Sequence, residues 1–547
     1  MKKNGFLLIL LALVIFGQMA WAQGMVHNLP AEVHAEDATI TEMGHATLTV
    51  EMKIVTDTLT RHTDTLREMT NIEWHTEPGT AKQRNAERER NGGSGFYNGG
   101  SNSWLDIYWY RFNYPSINAE GNPVLLSALA CMPDEDCDYI NNVIIGCHVT
   151  ITSNNECPSQ YNSWDNWKGD ASMLMNHAGS GLVFHSSQSD GAYYNLVILP
   201  DYEGYGLTRD HAHPYLYQEL TARQVVDGAR YGIALYHNSP TISSIRHSFR
   251  SGWRTICVGY SQGGSVAMAT QRFIEQNGLT DELQLAGSVC GDGPYDPVAT
   301  LMYYMKQYKE DHDPMSMPVV LPLILKGMCD SNPYMKNHQV SEYLSQGFLD
   351  TGILTWLTQK EKTTDDITEA WCYYYAGIPD YEHVILMPDG AFELNLKIDY
   401  IMVSTGFTYF SNLYDTYKNV YTSAAGVPLP THRGLMEDLH FALASNNLTK
   451  GWVPQHALCL YHSKEDTVVP EVNRQSAVSS FGEWIIRLHA SGHLQFDHVN
   501  TGVQFFTGTA EFDAIRALSK APVHQTTSDV THIKDDLPFY DKEEHFE

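Results

Sequence analysis

Apolar runs of four to ten residues recur along the middle of the chain, separated by stretches with helical spacing. Leu105–Tyr114 is aromatic and β-rich, and Pro123–Cys131 follows it across the turn Asn118-Ala119-Glu120-Gly121-Asn122, a hairpin pattern. Val143–Ile151, Leu196–Leu199, Thr255–Val258, Leu283–Val289, Ala457–Tyr461 and Trp484–Leu488 read as further strands, short and continuously apolar. Gln218–Tyr236 and Ser261–Glu275 carry helical periodicity between them. Strands alternating with helices predict an α/β fold, a mostly parallel sheet with helices on both faces.

That rhythm breaks between Gly291 and Pro454, where aromatic and Met-rich helical stretches such as Met302-Tyr303-Tyr304-Met305 replace it. The segment is too long for a loop and predicts a large, mostly helical cap over about residues 295–453. Residues 23–102 read as a polar N-terminal extension, its end marked by the Gly-, Asn- and Ser-rich stretch Asn91–Ser103. The main domain is expected over 103–522 and an acidic tail over 523–547.

The first 22 residues read as an address. Lys2 and Lys3 precede an apolar run, Phe6–Phe16, and Ala20-Trp21-Ala22 has the small-x-small form of a signal-peptidase site. The expectation is an exported protein, periplasmic or secreted, with no membrane span after cleavage. Net charge is −29, from 35 Lys+Arg against 64 Asp+Glu. Such a surface repels phosphate backbones and anionic lipid, so no nucleic-acid partner is expected.

There are nine cysteines. Cys131 and Cys137 flank a short acidic turn and are close enough in sequence to bridge, whereas Cys257 and Cys459 sit inside apolar runs as small hydrophobes. Neither C-x-x-C nor H-E-x-x-H occurs, so spacing predicts no metal site, and the pair His211 and His213 reads as structural.

The strongest chemical signal is Gly259-Tyr260-Ser261-Gln262-Gly263, set between a β-branched strand and a helix rich in small residues. A nucleophile on a sharp strand-to-helix turn is lifted above the sheet, and flanking glycines let the two backbones pass closely. The helix N-terminus and the Gln262 N–H then face a developing oxyanion. A hydroxyl is a weak nucleophile and needs a base and an orienting acid, here expected in the order Ser, acid, His. Asp466, just past Ala457–Tyr461, is the candidate acid, with Glu465 its rival. His498, which opens an apolar helical stretch after Trp484–Leu488, is the candidate base, with His493 the alternative and His489 too early. The second oxyanion donor is expected from the backbone of Gly146–Thr150, at Val149 or its neighbour. Tyr202 and Tyr205, at the carboxyl end of their strand, and Tyr260, inside the elbow, are candidate substrate contacts.

With these residues in place the chain resembles the α/β-hydrolase superfamily, and more narrowly the secretory lipases and related bacterial secreted esterases. The resemblance rests on Gly259–Gly264 (GYSQGG), Pro200–Gly206 (PDYEGYG), His213–Leu216 (HPYL) and the helical insertion before the acid strand, and it covers roughly residues 103–522. Relatives tend to show His-Gly-Thr where this chain has His148-Val149-Thr150. The resemblance implies hydrolysis of a small-molecule or lipid ester through an acyl-Ser261 intermediate, with His498 as base then acid, Asp466 orienting it, and no metal or organic cofactor. The same triad also serves serine peptidases of the prolyl-aminopeptidase type, for which Asp311, Asp313, Asp365, Asp366 and Glu369 in the cap are amine-binding candidates. A binding protein of the same fold without catalysis is the remaining alternative.

Overall fold

The structure, a computed structural model, describes residues 26–56, 63–75, 102–133, 137, 139–161, 184–187, 191–312, 315, 317–368, 397–462, 466 and 468–481. Its centre is one mixed sheet. The strands are β1 (Thr39–Thr56), β2 (Thr63–His75), β3 (Asn102–Ile117), β4 (Pro123–Pro133), β5 (Tyr139–Cys147), β6 (Phe184–Ser187), β7 (Gly191–Pro200), β8 (Ser248–Tyr260), β9 (Leu285–Gly291) and β10 (Ala457–Tyr461). They lie in the order β10-β9-β8-β5-β7-β4-β3-β1-β2, with β6 paired to β7 off this path. The five strands from β10 to β7 run parallel, and β4, β3, β1 and β2 continue the sheet antiparallel.

The two halves differ in how they are joined. The β3–β4 pairing confirms the predicted hairpin. Two long helices, α1 (Gln218–Asn238) and α2 (Gln262–Gln276), connect parallel strands and pack on each other and on the sheet. Alternate residues of β3, β4 and β7 point to opposite faces. Trp109, Leu129 and Val197 enter one cluster, and Tyr110, Ala130 and Ile198 enter another, so both faces are covered.

Residues 39–56 and 63–75, expected within the polar extension, supply β1 and β2 and widen the sheet. The signal lay in period two: Ala46, Leu48, Val50, Met52 and Ile54 alternate with Thr47, Thr49, Glu51 and Lys53. Overall polarity hid it. Of the stretch Asn91–Ser103 only its last two residues are described, and they begin β3. The expected strand Trp484–Leu488 and the tail lie outside the described residues.

Ahead of the sheet, residues 26–31 form a strap across α1. Buried Arg223 donates to the carbonyls of Val26 and Asn28, and buried Arg230 donates to those of Pro30 and Ala31. His27 stacks on Phe273 and pairs with Glu219, which raises its pKa.

Between β9 and β10 the described residues are helical: α3 (Pro297–Lys306), α4 (Val320–Ser331), α5 (Ile353–Gln359), α6 (Ser404–Tyr417) and α7 (Leu435–Ser445). They share a core of their own, with Met302, Leu321, Met328, Phe410 and Leu439 buried together. After β10, α8 (Val472–Phe481) returns to the sheet, where Ala477 and Phe481 join the sheet core.

Eight cysteines are described and all are buried, Cys131 and Cys137 among them. The bridge considered for that pair is absent. Cys131 points into the sheet core, while Cys137 belongs to the cluster on the opposite face.

Candidate active site

β8 ends in the elbow. Ser261 has φ 52° and ψ −124°, a conformation that costs a non-glycine residue about 1–3 kcal/mol and persists only where the surroundings enforce it. They do so through backbone contact. A Cβ added to Gly259 would lie 2.1 Å from the Gly263 carbonyl oxygen, and one on Gly263 would lie 2.0 Å from that of Cys147. Glycine at both positions is therefore a packing requirement. The Ser261 N–H donates to the Gly291 carbonyl at 3.0 Å, which ties the elbow to the end of β9. Ser261 is 9% exposed, at the first turn of α2.

The loop after β5 crosses the start of α2. The His148 carbonyl oxygen would lie 2.8 Å from a Gly263 Cβ, so the Val149 backbone begins within a residue of the elbow. This loop is held from below by aromatic side chains. Tyr202 stacks on His148 at 3.9 Å and donates to its carbonyl at 3.2 Å; Tyr205 donates to the Ile151 carbonyl; Thr150 and Tyr215 share a hydrogen bond of 2.8 Å. Burial pulls the His148 pKa down to about 4, so the ring is neutral.

Tyr202 and Tyr205, expected as substrate contacts, are 1% and 2% exposed and commit their hydroxyls to this backbone. Their observed role is to support the 148–151 loop. Tyr260 is likewise buried, in the sheet core. Gln262 is fixed by a residue that sequence reading classed as structural. The His213 Nδ1–H donates to the Glu203 carbonyl at 2.8 Å, which leaves Nε2 to accept from the Gln262 amide at 3.1 Å. Burial pulls His213 down to about 3, consistent with that neutral tautomer.

Asp466 lies beyond β10, 6% exposed. Its Oδ1 accepts the N–H groups of Val468 at 2.8 Å and Val469 at 2.9 Å, so the carboxylate is oriented by its own loop. The cap reaches this loop through Tyr304, whose hydroxyl donates to the Val468 carbonyl at 2.7 Å. Glu465, His489, His493 and His498 lie outside the described residues.

Two residues not singled out from the sequence stand beside Asp466. Asp292 follows β9, and His462 follows β10. Both are buried, with His462 Nδ1 3.4 Å from Asp292 Oδ1, and His462 Nε2–H donates to the Val469 carbonyl at 2.6 Å. Burial pulls His462 down to about 4. Its Nε2 is committed to a carbonyl and the ring is enclosed, so it is not placed to serve as the base. The available signal was position: each follows the end of a parallel strand, where ligands and catalytic groups gather.

A cavity of about 240 Å³ lies between the 205–215 loop and the cap, lined by Tyr205, His211, His213, Tyr215, Leu323 and Lys360 among others. Lys360 Nζ donates to the carbonyls of Gly204 at 2.6 Å and Arg209 at 2.9 Å and to that of His211, which fastens the cap to this loop.

The arrangement is similar to solved structures. A single-residue mutant of the rice cell wall degrading esterase LipA from Xanthomonas oryzae matches with a TM-score of 0.50 and 21% identity, over 76% of this chain and 88% of that one. The chain has the α/β-hydrolase fold. Candida antarctica lipase A in its closed state matches at a TM-score of 0.40 and 14% identity, over 68% of this chain and 69% of that one, too slight a likeness to argue from. No family model matches the sequence, and no curated protein does. Ser261, Asp292, His462 and Asp466 all follow the carboxyl ends of parallel strands, the edge at which ligands bind in open α/β sheets.

Proposed function

We propose that this chain is an exported serine hydrolase of carboxylic esters. The observation that carries the reading is Ser261, held at φ 52° on a glycine-enforced elbow, with a hydrogen-bonded carboxylate at the end of the strand two places along the same sheet edge. Strain of this kind in a buried turn signals a nucleophile more than a cap, because an N-cap serine reaches the same hydrogen bonds without it.

In this reading the Ser261 Oγ attacks the ester carbonyl carbon while His498 takes its proton. The oxyanion is met by the Gln262 and Val149 N–H groups, with the partial positive charge of the α2 N-terminus behind them. The carbon–alkoxy bond breaks, His498 returns the proton to the leaving alcohol, and water repeats the sequence to release the acid and Ser261. Asp466 orients the imidazole and stabilises its charged form. His493 is the alternative base. The similarity to the esterase LipA supports an ester over an amide bond. Lys2, Lys3, Phe6–Phe16 and Ala20–Ala22 support export, and among the described residues no helix is long and apolar enough to cross a membrane.

The test is fluorophosphonate labelling of the purified protein, followed by hydrolysis of p-nitrophenyl esters of rising acyl length and of Pro- and Ala-arylamides. Labelling at Ser261 with ester turnover supports the reading. Arylamide turnover alone replaces it with a peptidase, and no labelling of the folded chain replaces it with a non-catalytic binding protein.

A further inference from the structure

Asp292, His462 and Asp466 each offer one donor atom, and these three atoms lie within 4.8 Å of one another in a buried corner of the sheet edge. We propose that they form a three-ligand site for a divalent transition metal of the Zn2+ class, and that metal bound there inhibits hydrolysis. The inhibitory half rests on the reading of Asp466 as the triad acid.

The imidazole carries the argument. Its Nε2–H is committed to the Val469 carbonyl at 2.6 Å, so Nδ1 holds the lone pair. That nitrogen is enclosed and has no hydrogen-bond partner among the described residues. It faces Asp292 Oδ1 at 3.4 Å, so a lone pair looks at a carboxylate oxygen. A lone pair facing a carboxylate oxygen in a buried corner is an unfavourable pair that a cation between them relieves. A metal ion on Nδ1 supplies it, and a histidine that ligates through one ring nitrogen while donating the other N–H to a backbone carbonyl is the usual metal-binding arrangement.

The remaining geometry agrees. Tyr461 pairs with Gly291 in the parallel β9–β10 register, so His462 and Asp292 leave neighbouring strands side by side. Asp466 is oriented by the Val468 and Val469 N–H groups and turns back on the same corner. One imidazole and two carboxylates suit Zn2+ better than Ca2+ or Mg2+, which prefer oxygen ligands throughout. Two carboxylates, a neutral imidazole and a divalent ion sum to zero charge, as a buried site requires. Around a tetrahedral ion with bonds of roughly 2.0–2.2 Å the ligand atoms sit about 3.3–3.6 Å apart, so side-chain movements of roughly 1 Å bring the three donors together and leave the fourth position open. A metal there withdraws the Asp466 lone pairs from the catalytic base.

The experiment titrates Zn2+ into the chelator-treated full chain, with binding read by calorimetry and ester turnover read in parallel. We expect one Zn2+ per chain, turnover falling at least about tenfold in step with occupancy, and recovery on adding EDTA. Asp292→Asn should weaken Zn2+ binding at least about tenfold and shift the inhibition curve equally. If circular dichroism shows that variant unfolded, His462→Gln is read instead. Absence of stoichiometric binding in a folded chain, or binding that neither substitution weakens, overturns the site. Binding that Asp292→Asn weakens but that leaves turnover untouched keeps the site and overturns inhibition through Asp466. Calorimetry reads the metal even if the chain hydrolyses no ester, so failure of the ester reading is seen separately.

Discussion

The elbow and the cap core are both buried, and they are built in opposite ways. At the elbow, backbone meets backbone: the Cβ positions of Gly259, Gly263 and Gly264 fall 2.0–2.2 Å from backbone carbonyl oxygens of the helix and of neighbouring strand ends. In the cap, side chains meet side chains, many of them soft. Met302, Met305, Met315, Met317, Met328, Met335, Met402 and Met436 are all in one cluster with Leu, Ile and Tyr. Unbranched thioethers fill irregular space and repack at little cost. The elbow is thus fixed by backbone contacts, and the cap core is shaped by side chains that many substitutions can repack.

The sharpest break of this contrast is Ser261→Ala. It removes one oxygen at a turn that stays intact, so kcat should fall by about three orders of magnitude or more while the melting temperature barely moves. Ester turnover and a thermal scan on one sample measure both. An active Ser261→Ala protein would sink the mechanism. Gly263→Ala attacks the same place through structure. Its methyl meets the Cys147 carbonyl, and a loss of more than about 4 kcal/mol in urea unfolding is expected, enough to prevent folding of a marginal chain.

Phe410→Ala is the matching insult to the cap core, where Phe410 is fully buried. It should cost about 3–4 kcal/mol, softened where neighbouring methionines relax into the space, and should change the ratio of long- to short-chain ester hydrolysis more than the chemistry itself. Lys360→Met tests the tether between the regions. It strands three carbonyls and should cost about 1–3 kcal/mol, read as increased protease cleavage in the cap with the sheet protected.

The smallest effect lies farthest from the site. The hydrogen bond to Glu219 raises the His27 pKa in the folded chain. The strap's stabilisation is therefore fully present below the ordinary histidine range, near about 6.5, and is lost as pH rises through the raised folded value. Melting temperature should decline slightly between about pH 6 and about pH 8.5, and His27→Gln should flatten that slope.

What the sequence makes legible follows the same division. The elbow can be read because a backbone demand leaves a residue-type signature, glycine at 259 and 263. β10 can be read to its ends, and α1 and α2 nearly so, because continuous apolar runs and 3.6-residue periodicity mark them. Roles fixed only by long-range pairing leave no local trace. Tyr202 and Tyr205 look like ligand aromatics until the carbonyls they bind, on His148 and Ile151, are in view. Asp292 is one acid in a Gly-Asp-Gly turn until the β9–β10 register sets it beside His462. His213 is one of two loop histidines until the Gln262 amide gives it work.

The buried thiols carry a consequence for biogenesis. Cys147, Cys257, Cys290 and Cys459 lie on four adjacent strands, and burial pushes Cys147 and Cys459 up to about 12, where the reactive thiolate is absent. Enclosure is their only protection. If the chain is exported as proposed, the sheet must close over its sulfurs before they find one another, since a wrong crosslink would lock strands that have to lie side by side.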